Sequence, residues 1–87
     1  MSWQVVFTKQ AEKDALKLAS CGLKSKAEML LEVLRRNPFQ NPPSYEKLLG
    51  DFSGAYSRRI NIQHRLIYEI LNEYKTVKVL SMWAHYQ

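Results

Sequence analysis

All three prolines of this 87-residue chain lie close together, at Pro38, Pro42 and Pro43. Proline removes a backbone donor and restricts the residue before it, so no helix or central strand can run through this segment. Apolar residues recur at helical spacing before the prolines and alternate as in strands after them. The chain therefore divides into a helical first part and a β-rich second part, and residues 37–44 form the loop that joins them.

The first part predicts one strand followed by two helices. Residues 3–7 are aromatic and β-branched, as in a strand, and Thr8 can cap the helix that follows. Gly22 provides a left-handed stop for this helix, and Pro38 forces the second helix to end near Asn37. The short connection predicts a helical hairpin. The apolar stripes are Ala11, Ala15, Leu18 and Ala19 in the first helix and Leu23, Ala27, Leu30, Leu31 and Leu34 in the second.

The second part predicts four strands and a turn. Residues 55–62 alternate between two faces, and residues 65–71 and 76–84 are two further β-rich runs. Residues 72–75 predict a hairpin turn, and residues 46–49 a short strand of their own. The order β-α-α-β-β-β-β predicts an α+β fold, in which the two-helix hairpin packs on one face of a mainly antiparallel sheet. The other face of the sheet is left as a working surface.

The length and charge of the chain restrict its partners. Residues 1–87 suffice for one domain and no more. The chain has 13 lysines and arginines against 8 acidic residues, which gives a net charge of +5 and a pI near 9.5. This balance suits an anionic partner, with nucleic acid first. The charges are spread evenly along the sequence, so folding has to build any basic site.

Cofactors and membranes are not expected as partners. The single cysteine, Cys21, excludes an intramolecular disulfide framework and a thiolate zinc cluster, and with the two histidines it matches no metal-ligand spacing. No apolar run reaches the roughly 18–20 residues of a membrane span. Residues 1–7 lack the positive and long apolar regions of a signal peptide. We therefore expect a cytoplasmic protein without a metal or other cofactor.

Arginines within strand-like sequence are the most unusual local feature. Arg58, Arg59 and Arg65 lie in or beside runs that otherwise indicate strand. Arg59 and Arg65 share parity across a tight connection, which favours one face of the sheet for both, although an arginine in a strand commonly just faces water. Two neighbouring guanidiniums repel unless an anion lies between them, and phosphate fits their planar donors. The pair is thus a candidate phosphate site.

The candidates for proton transfer lie in the β-rich part. His85 stands beside Tyr86 and near Trp83, an aromatic ending typical of a terminal strand held in a sheet, although chain ends are commonly frayed. Histidine can give and take protons near pH 7, and Glu46 can act as a base. The alternative for Glu46, beside a lysine, is a solvated surface residue. His64 is expected to have a structural role at the turn or the start of a strand.

Two stretches of the sequence resemble a known family. Ser53–Ile60 (SGAYSRRI), followed by His64–Tyr68 (HRLIY), is similar to the signature of the YoeB/Txe toxins of the RelE/ParE superfamily. The segment Arg35–Phe39 and the ending His85-Tyr86 match the same family, so the resemblance covers essentially the whole chain. It implies a RelE-like fold, similar to that of microbial ribonucleases.

The resemblance also implies an activity. The protein would be the toxin of a type II toxin–antitoxin system, a ribosome-dependent endoribonuclease that cuts mRNA in the A site. Its partners would be mRNA, the ribosome, a cognate antitoxin similar to YefM, and a second copy of the chain in a homodimer. Glu46 would act as general base, His85 as general acid and Arg65 as phosphate stabiliser, without a metal. Substrate binding would fall to Arg59, Tyr86, Lys47 and Arg58.

Two other functions stay open at this point. A ParE-like toxin of the same fold would inhibit DNA gyrase and would need no base–acid pair, so the presence of Glu46 and His85 argues against it. A non-enzymatic module would bind RNA or the ribosome through its positive charge alone. Charge-neutral variants of Glu46 and His85 separate these classes, because inhibition by a binding module would survive them.

Overall fold

The computed structural model describes residues 2–50 and 54–85, with Ala84 and His85 described by their backbone alone. Within these ranges the elements are β1 (Gln4–Phe7), α1 (Lys9–Ser20), α2 (Lys24–Arg36), β2 (Glu46–Lys47), β3 (Ala55–Arg59), β4 (His64–Leu71) and β5 (Thr76–His85). The predicted order of strands and helices is confirmed. The predicted turn before β5 takes the form of a short 3-10 helix, Asn72–Tyr74.

The strands form one sheet in the order β1-β5-β4-β3-β2. β1 lies parallel to β5, whereas the other neighbouring strands are antiparallel. A parallel pair requires a long connection, which the two helices and the intervening strands provide here. The prediction of a mainly antiparallel sheet with a packed helical hairpin is confirmed, and the sheet is mixed because of β1.

The helices begin and end where local chemistry dictates. Thr8 Oγ1 accepts a hydrogen bond from the Ala11 N–H at 3.1 Å and donates one to the Leu80 carbonyl at 2.9 Å, which joins the start of α1 to β5. Gly22 adopts a φ of 76°, a conformation that glycine reaches without a steric cost. α2 ends at Arg36, directly before Asn37 and Pro38, as predicted. Over the part of the chain that the structure describes, neither helix has the length and apolar character needed to cross a membrane.

The core forms between the helices and one face of the sheet. Burying a leucine-sized side chain contributes about 1.5–3 kcal/mol, so this layer supplies most of the folding free energy. Its members are almost completely shielded from water, and include Leu18, Leu30 and Leu34 from the helices and Leu66, Tyr68, Val77 and Val79 from the strands. Because side chains alternate along a strand, Ser57, Arg59 and Arg65 extend from the opposite face.

The ladder between β4 and β5 is irregular near the end of β5. Tyr68 pairs with Val79, but Arg65 pairs with Ala84, two residues further along β5 than a regular ladder would place it. β5 therefore carries extra residues in this stretch, as strands do at β-bulges. The shift places the backbone of His85 across from His64.

Asp14 of α1 binds this irregular stretch of β5. Its carboxylate accepts hydrogen bonds from the Met82 N–H at 3.0 Å and from the Ser81 hydroxyl at 3.1 Å. Burial raises the pKa of Asp14, but the hydrogen bonds from Met82, Gln10 and Ser81, together with the charge of Lys17, outweigh burial and lower this pKa below its ordinary value. The carboxylate is thus held ionised between α1 and β5.

Candidate active site

A cleft of about 200 Å³ opens on the face of the sheet that does not contact the helices. The pairing of β2, β3 and β4 explains its composition, since Glu46 lies across from Ser57 and Arg59 lies across from Arg65. Directly opposed residues of neighbouring strands place their side chains on the same face of the sheet. The cleft is lined by Ser44, Tyr45, Glu46, Ser57, Arg59 and Arg65.

Arg65 and Glu46 form an ion pair within the cleft. The distance from Arg65 Nη1 to Glu46 Oε1 is 3.6 Å, and the same Nη1 donates a hydrogen bond to Ser57 Oγ at 3.2 Å. The Arg65 side chain is 9% exposed, whereas that of Glu46 is 58% exposed. The guanidinium is therefore held at the bottom of the cleft, while the carboxylate stands at its rim within reach of a bound molecule.

Arg59 adds a second positive charge at the end of β3. Its residue is exposed and lies directly across from Arg65. The prediction from parity that these two arginines share one face is confirmed. An anion bound between them would relieve their mutual repulsion, and a phosphate would accept hydrogen bonds from both planar groups.

Lys47 lies outside this arrangement. It pairs with Tyr56 on β3, whereas its neighbour Glu46 pairs with Ser57, so the alternation of β2 places Lys47 on the other face of the sheet. The residue is exposed and does not line the cleft. The structure does not bring Lys47 together with Glu46 and the two arginines.

The prediction that Arg58 binds substrate is wrong, because this side chain is buried on the core side of the sheet. Arg58 is only 1% exposed, and its guanidinium donates hydrogen bonds to the Tyr68 hydroxyl and to the carbonyls of Pro38, Gln40 and Pro43. The guanidinium has its hydrogen-bonding capacity directed into the protein, away from the cleft. Alternation along β3 puts Arg58 and Arg59 on opposite faces.

The end of β5 carries the predicted proton donor. His85 is the last residue of β5, and its backbone pairs with that of His64, which immediately precedes Arg65. Tyr86 lies outside the described residues. His64 is 6% exposed and stacks on Trp83 with 4.1 Å between ring centroids, so the structural role predicted for it is confirmed. β5 thus brings the backbone of His85 to the same end of the sheet as Arg59 and Arg65.

Two serines of the cleft were missed by the sequence analysis. Ser57 is completely buried and binds Arg65, and Ser44 lines the cleft just before β2. Ser57 shares the parity of Arg59 in an alternating run, which was a usable signal. Ser44 has no such signal, because its place depends on the path of the loop. Among the described residues, no group of three or more histidine, cysteine, aspartate or glutamate side chains is arranged to hold a metal ion.

Comparison with known proteins gives consistent likenesses over nearly the whole chain. Residues 7–86 match the family described as the YoeB-like toxin of bacterial type II toxin–antitoxin systems. Toxin YoeB from Synechocystis sp. is 32% identical over 88 residues, covering 100% of this chain and 91% of the relative.

Solved structures with similar folds include three from this group. A YoeB/ParE toxin from Agrobacterium tumefaciens has a TM-score of 0.85 at 27% identity, covering 95% of this chain and 99% of the other. A YoeB–YefM complex from Staphylococcus aureus has a TM-score of 0.78 at 30% identity, and a YoeB dimer from the same organism has 0.80 at 31%. Each of the two alignments covers 97% of this chain and 98% of the other. Residues 7–86, which match the family, include every strand that builds the cleft.

Proposed function

The chain belongs to the YoeB-like family of toxins from bacterial type II toxin–antitoxin systems, and from this membership we propose that it is a ribosome-dependent endoribonuclease that cuts mRNA in the A site. The observation that carries the proposal is the cleft in which the carboxylate of Glu46 meets the guanidinium of Arg65 at 3.6 Å, with Arg59 on the adjacent strand. A base beside two phosphate-binding cations suits the cleavage of a phosphodiester that contains its own nucleophile.

The proposed reaction consists of two proton transfers and one displacement at phosphorus. Glu46 removes the proton of the ribose 2′-OH, and the oxygen attacks the adjacent phosphorus. The bond to the 5′-oxygen breaks, and His85 gives that oxygen a proton. The products are a 2′,3′-cyclic phosphate and a 5′-OH. Each positioned proton transfer contributes typically ~10²–10⁴-fold to the rate.

Arg65 and Arg59 stabilise the negative charge that develops on the phosphorus oxygens, which is commonly the largest single contribution to catalysis. An incoming phosphate competes with Glu46 for Arg65, and their contact of 3.6 Å is long for a charge-assisted hydrogen bond. Binding of substrate therefore releases the carboxylate to act on the 2′-OH. In this proposal Tyr86 orients the substrate, and Lys47 contacts the RNA backbone outside the cleft.

The chain's own side chains supply the base, the acid and the electrostatic stabilisation in this reaction, so we propose that it proceeds without a metal. The partners are mRNA and the ribosome, which places the protein in the cytoplasm. We further propose that a YefM-like antitoxin, encoded beside the toxin, inhibits it. The support is the YoeB–YefM complex of Staphylococcus aureus. The YoeB dimer of the same organism supports a homodimer in the same way.

In vitro translation with toeprinting tests the proposal. The wild-type protein should produce mRNA breaks at translated codons, and Glu46→Gln should lower the cleavage rate by ~10²-fold or more. Arg65→Lys keeps the charge but loses the planar pair of donors, and should lower the rate by ~10²–10³-fold. Glu73→Gln, an exposed glutamate remote from the cleft, serves as the matched control.

Each of the following outcomes would contradict the proposal in whole or in part. Full cleavage by a Glu46→Ala, His85→Ala double variant would remove the acid–base assignment. Inhibition of translation without any break in the mRNA would indicate a binding module, and inhibition of gyrase in place of translation would indicate a ParE-like toxin. Dependence of cleavage on added Mg²⁺, once the integrity of the ribosomes is controlled for, would contradict the proposal that no metal takes part.

A further inference from the structure

In the proline loop, residues 37–45, three carbonyls accept hydrogen bonds from one side chain outside the loop. Three of its residues are prolines, which have no N–H to donate to the carbonyls of their neighbours. Buried or half-buried carbonyls need a donor, because leaving one unpaired costs about 1–3 kcal/mol. The carbonyls of Pro38, Gln40 and Pro43 all accept hydrogen bonds from Arg58 of β3.

The guanidinium of Arg58 is suited to gather several acceptors at once. Nη2 donates to Pro38 O at 2.8 Å and to Gln40 O at 2.9 Å, Nη1 donates to Pro43 O, and Nε donates to the Tyr68 hydroxyl at 3.0 Å. The ring of Tyr45 lies over the guanidinium of Arg58, with 4.8 Å between the ring centroid and the Arg58 Cζ atom. Carbonyl dipoles and tyrosine rings thus surround a charge that is almost completely shielded from water.

The end of this loop forms one wall of the cleft. Ser44, Tyr45 and Glu46 follow Pro43 directly and line the cleft. β2 is only two residues long, Glu46 and Lys47, and one further backbone hydrogen bond, from the Leu48 N–H to the Ala55 carbonyl at 2.9 Å, follows its ladder with β3. The hydrogen bonds of Arg58 to the preceding loop add a restraint on the side from which the chain enters β2.

We propose that Arg58 is a positioning residue: by binding the carbonyls of the proline loop, its guanidinium sets the place of Tyr45 and Glu46 in the cleft. The inference rests on the proposed role of Glu46 as general base. Arg58 touches neither substrate nor reacting atoms. It acts through the backbone of the loop. The two neighbouring arginines of β3 therefore have different roles: Arg58 positions the loop from the core side of the sheet, and Arg59 binds phosphate in the cleft.

This division predicts different kinetic signatures for the two arginines. A change at Arg59 weakens contact with the phosphate both in the bound substrate and in the transition state, so it raises KM and lowers kcat together. A change at Arg58 moves the base away from its working position, lowering kcat by ~10- to 100-fold while KM stays within about twofold. A purely structural role of Arg58 would lower the amount of folded enzyme and leave kcat per folded molecule unchanged.

Arg58→Lys is the informative variant, since it keeps the positive charge but offers one nitrogen in place of a planar fork. Arg36→Lys, at the exposed end of α2, is the matched control. Arg58→Lys should lower kcat as stated and accelerate amide hydrogen exchange at residues 44–47, whereas Arg36→Lys should change neither. In a Glu46→Gln background, Arg58→Lys should have little further effect on kcat, because the group that it positions is already gone.

The hydrogen-exchange measurement does not depend on activity, so the two proposals fail separately. If the wild-type protein cleaves no mRNA, the proposed function fails, and exchange at residues 44–47 still decides whether Arg58 holds the loop. Unchanged exchange in Arg58→Lys, or an equal loss of kcat with and without Glu46, overturns the inference. If Arg58→Lys does not fold, Tyr68→Phe takes its place, because it removes the acceptor of the Arg58 Nε hydrogen bond. Tyr68→Phe should then show a smaller loss of kcat and a smaller acceleration of exchange at residues 44–47. The absence of both changes would overturn the inference.

Discussion

Tyr68 combines a hydrogen bond with complete burial. Its hydroxyl accepts a hydrogen bond from Arg58 Nε at 3.0 Å, and its ring stacks on Tyr56 with 5.9 Å between centroids. Burial raises the pKa of the Tyr68 hydroxyl to about 12, although the neighbouring Arg58 charge acts in the opposite direction. Ionisation of this tyrosine would place a negative charge in the core, and the native state resists it.

Alkaline pH should therefore destabilise the fold through Tyr68. Because the pKa is higher in the folded state than the ordinary value of 10.0, the native state holds this proton more tightly than the unfolded chain does. The contribution, up to roughly 3 kcal/mol, is fully present below pH 10 and is lost as the pH rises towards 12. Urea unfolding of the wild type and of Tyr68→Phe across this range measures it.

The difference in the free energy of unfolding between the two proteins is the quantity to compare, because groups other than Tyr68 are common to both. Tyr68→Phe should be less stable than the wild type at neutral pH, since Arg58 Nε loses its acceptor. The gap should narrow as the pH rises. A constant gap from neutral to alkaline pH would show that Tyr68 contributes no such titration.

The helices were predictable because their signals are local. Thr8, Gly22 and Pro38 each act on residues within a turn of their own position, and the helices begin and end at these signals. The irregular stretch of β5 was not predictable in this way, because Asp14 and Met82 are 68 positions apart in sequence. Only the packing of α1 on β5 brings them together.

The candidate site also has some residues that local patterns predict and others that only long-range packing places. Parity within strands placed Arg59 and Arg65 on one face, and β3–β4 pairing bears this out. Parity also separates Arg58 from Arg59, but the sequence alone does not say which face of the sheet the helices cover. The burial of Arg58 depends on the path of the proline loop, which no local pattern encodes. Long-range placement, more than local propensity, was the missing information.

Asp14→Asn should weaken the attachment of α1 to β5. The amide oxygen can take the place of Oδ2 and still accept from the Met82 N–H and the Ser81 hydroxyl, but the amide nitrogen in the place of Oδ1 cannot accept from Gln10, and the negative charge that these bonds stabilise is lost. We therefore expect a loss of about 1–3 kcal/mol in the free energy of unfolding. Chemical denaturation at neutral pH measures this loss. Glu12→Gln, an exposed change on the same helix, is the control and should have little effect.

The same variant gives a test at acid pH. Because the pKa of Asp14 is lowered in the folded state, its contribution is fully present above the ordinary value of 3.8 and is lost as the pH falls through the folded pKa. The wild type should therefore lose stability more steeply with acid than Asp14→Asn does. Parallel acid curves for the two proteins would contradict the assignment of a lowered pKa to this carboxylate.

In the molecule as a whole, the residues that stabilise the fold and the residues of the candidate site lie on opposite faces of the sheet. The helices and one face of the sheet bury the apolar residues, and the other face carries the cleft and its charged groups. A chain of 87 residues buries only roughly 60–65% of its unfolded surface, which leaves a modest margin of stability. Any partner that binds the folded state adds to that margin by mass action.

The antitoxin proposed above should accordingly raise the thermal midpoint of the toxin. At a free concentration 100 times its Kd, a partner contributes about 2.7 kcal/mol, and the midpoint should rise further with concentration. Differential scanning calorimetry of the free chain and of the complex with the product of the adjacent reading frame tests this. Equal midpoints for the free protein and the complex would contradict it.

The extra residues in β5 give this strand a stretch whose length can change without changing the pairing that follows it. In the register that Tyr68 and Val79 set, the position across from His64 lies two residues before His85. Removing two residues between Val79 and Ala84 would return the ladder to that register, and the backbone of His85 would still lie across from His64 if the residues after the deletion kept their order. The deletion would act on Asp14 instead, because its partners Ser81 and Met82 lie in this stretch. Length variation here is therefore expected to keep the last described pairs of β5 with β4 and to change the attachment of α1.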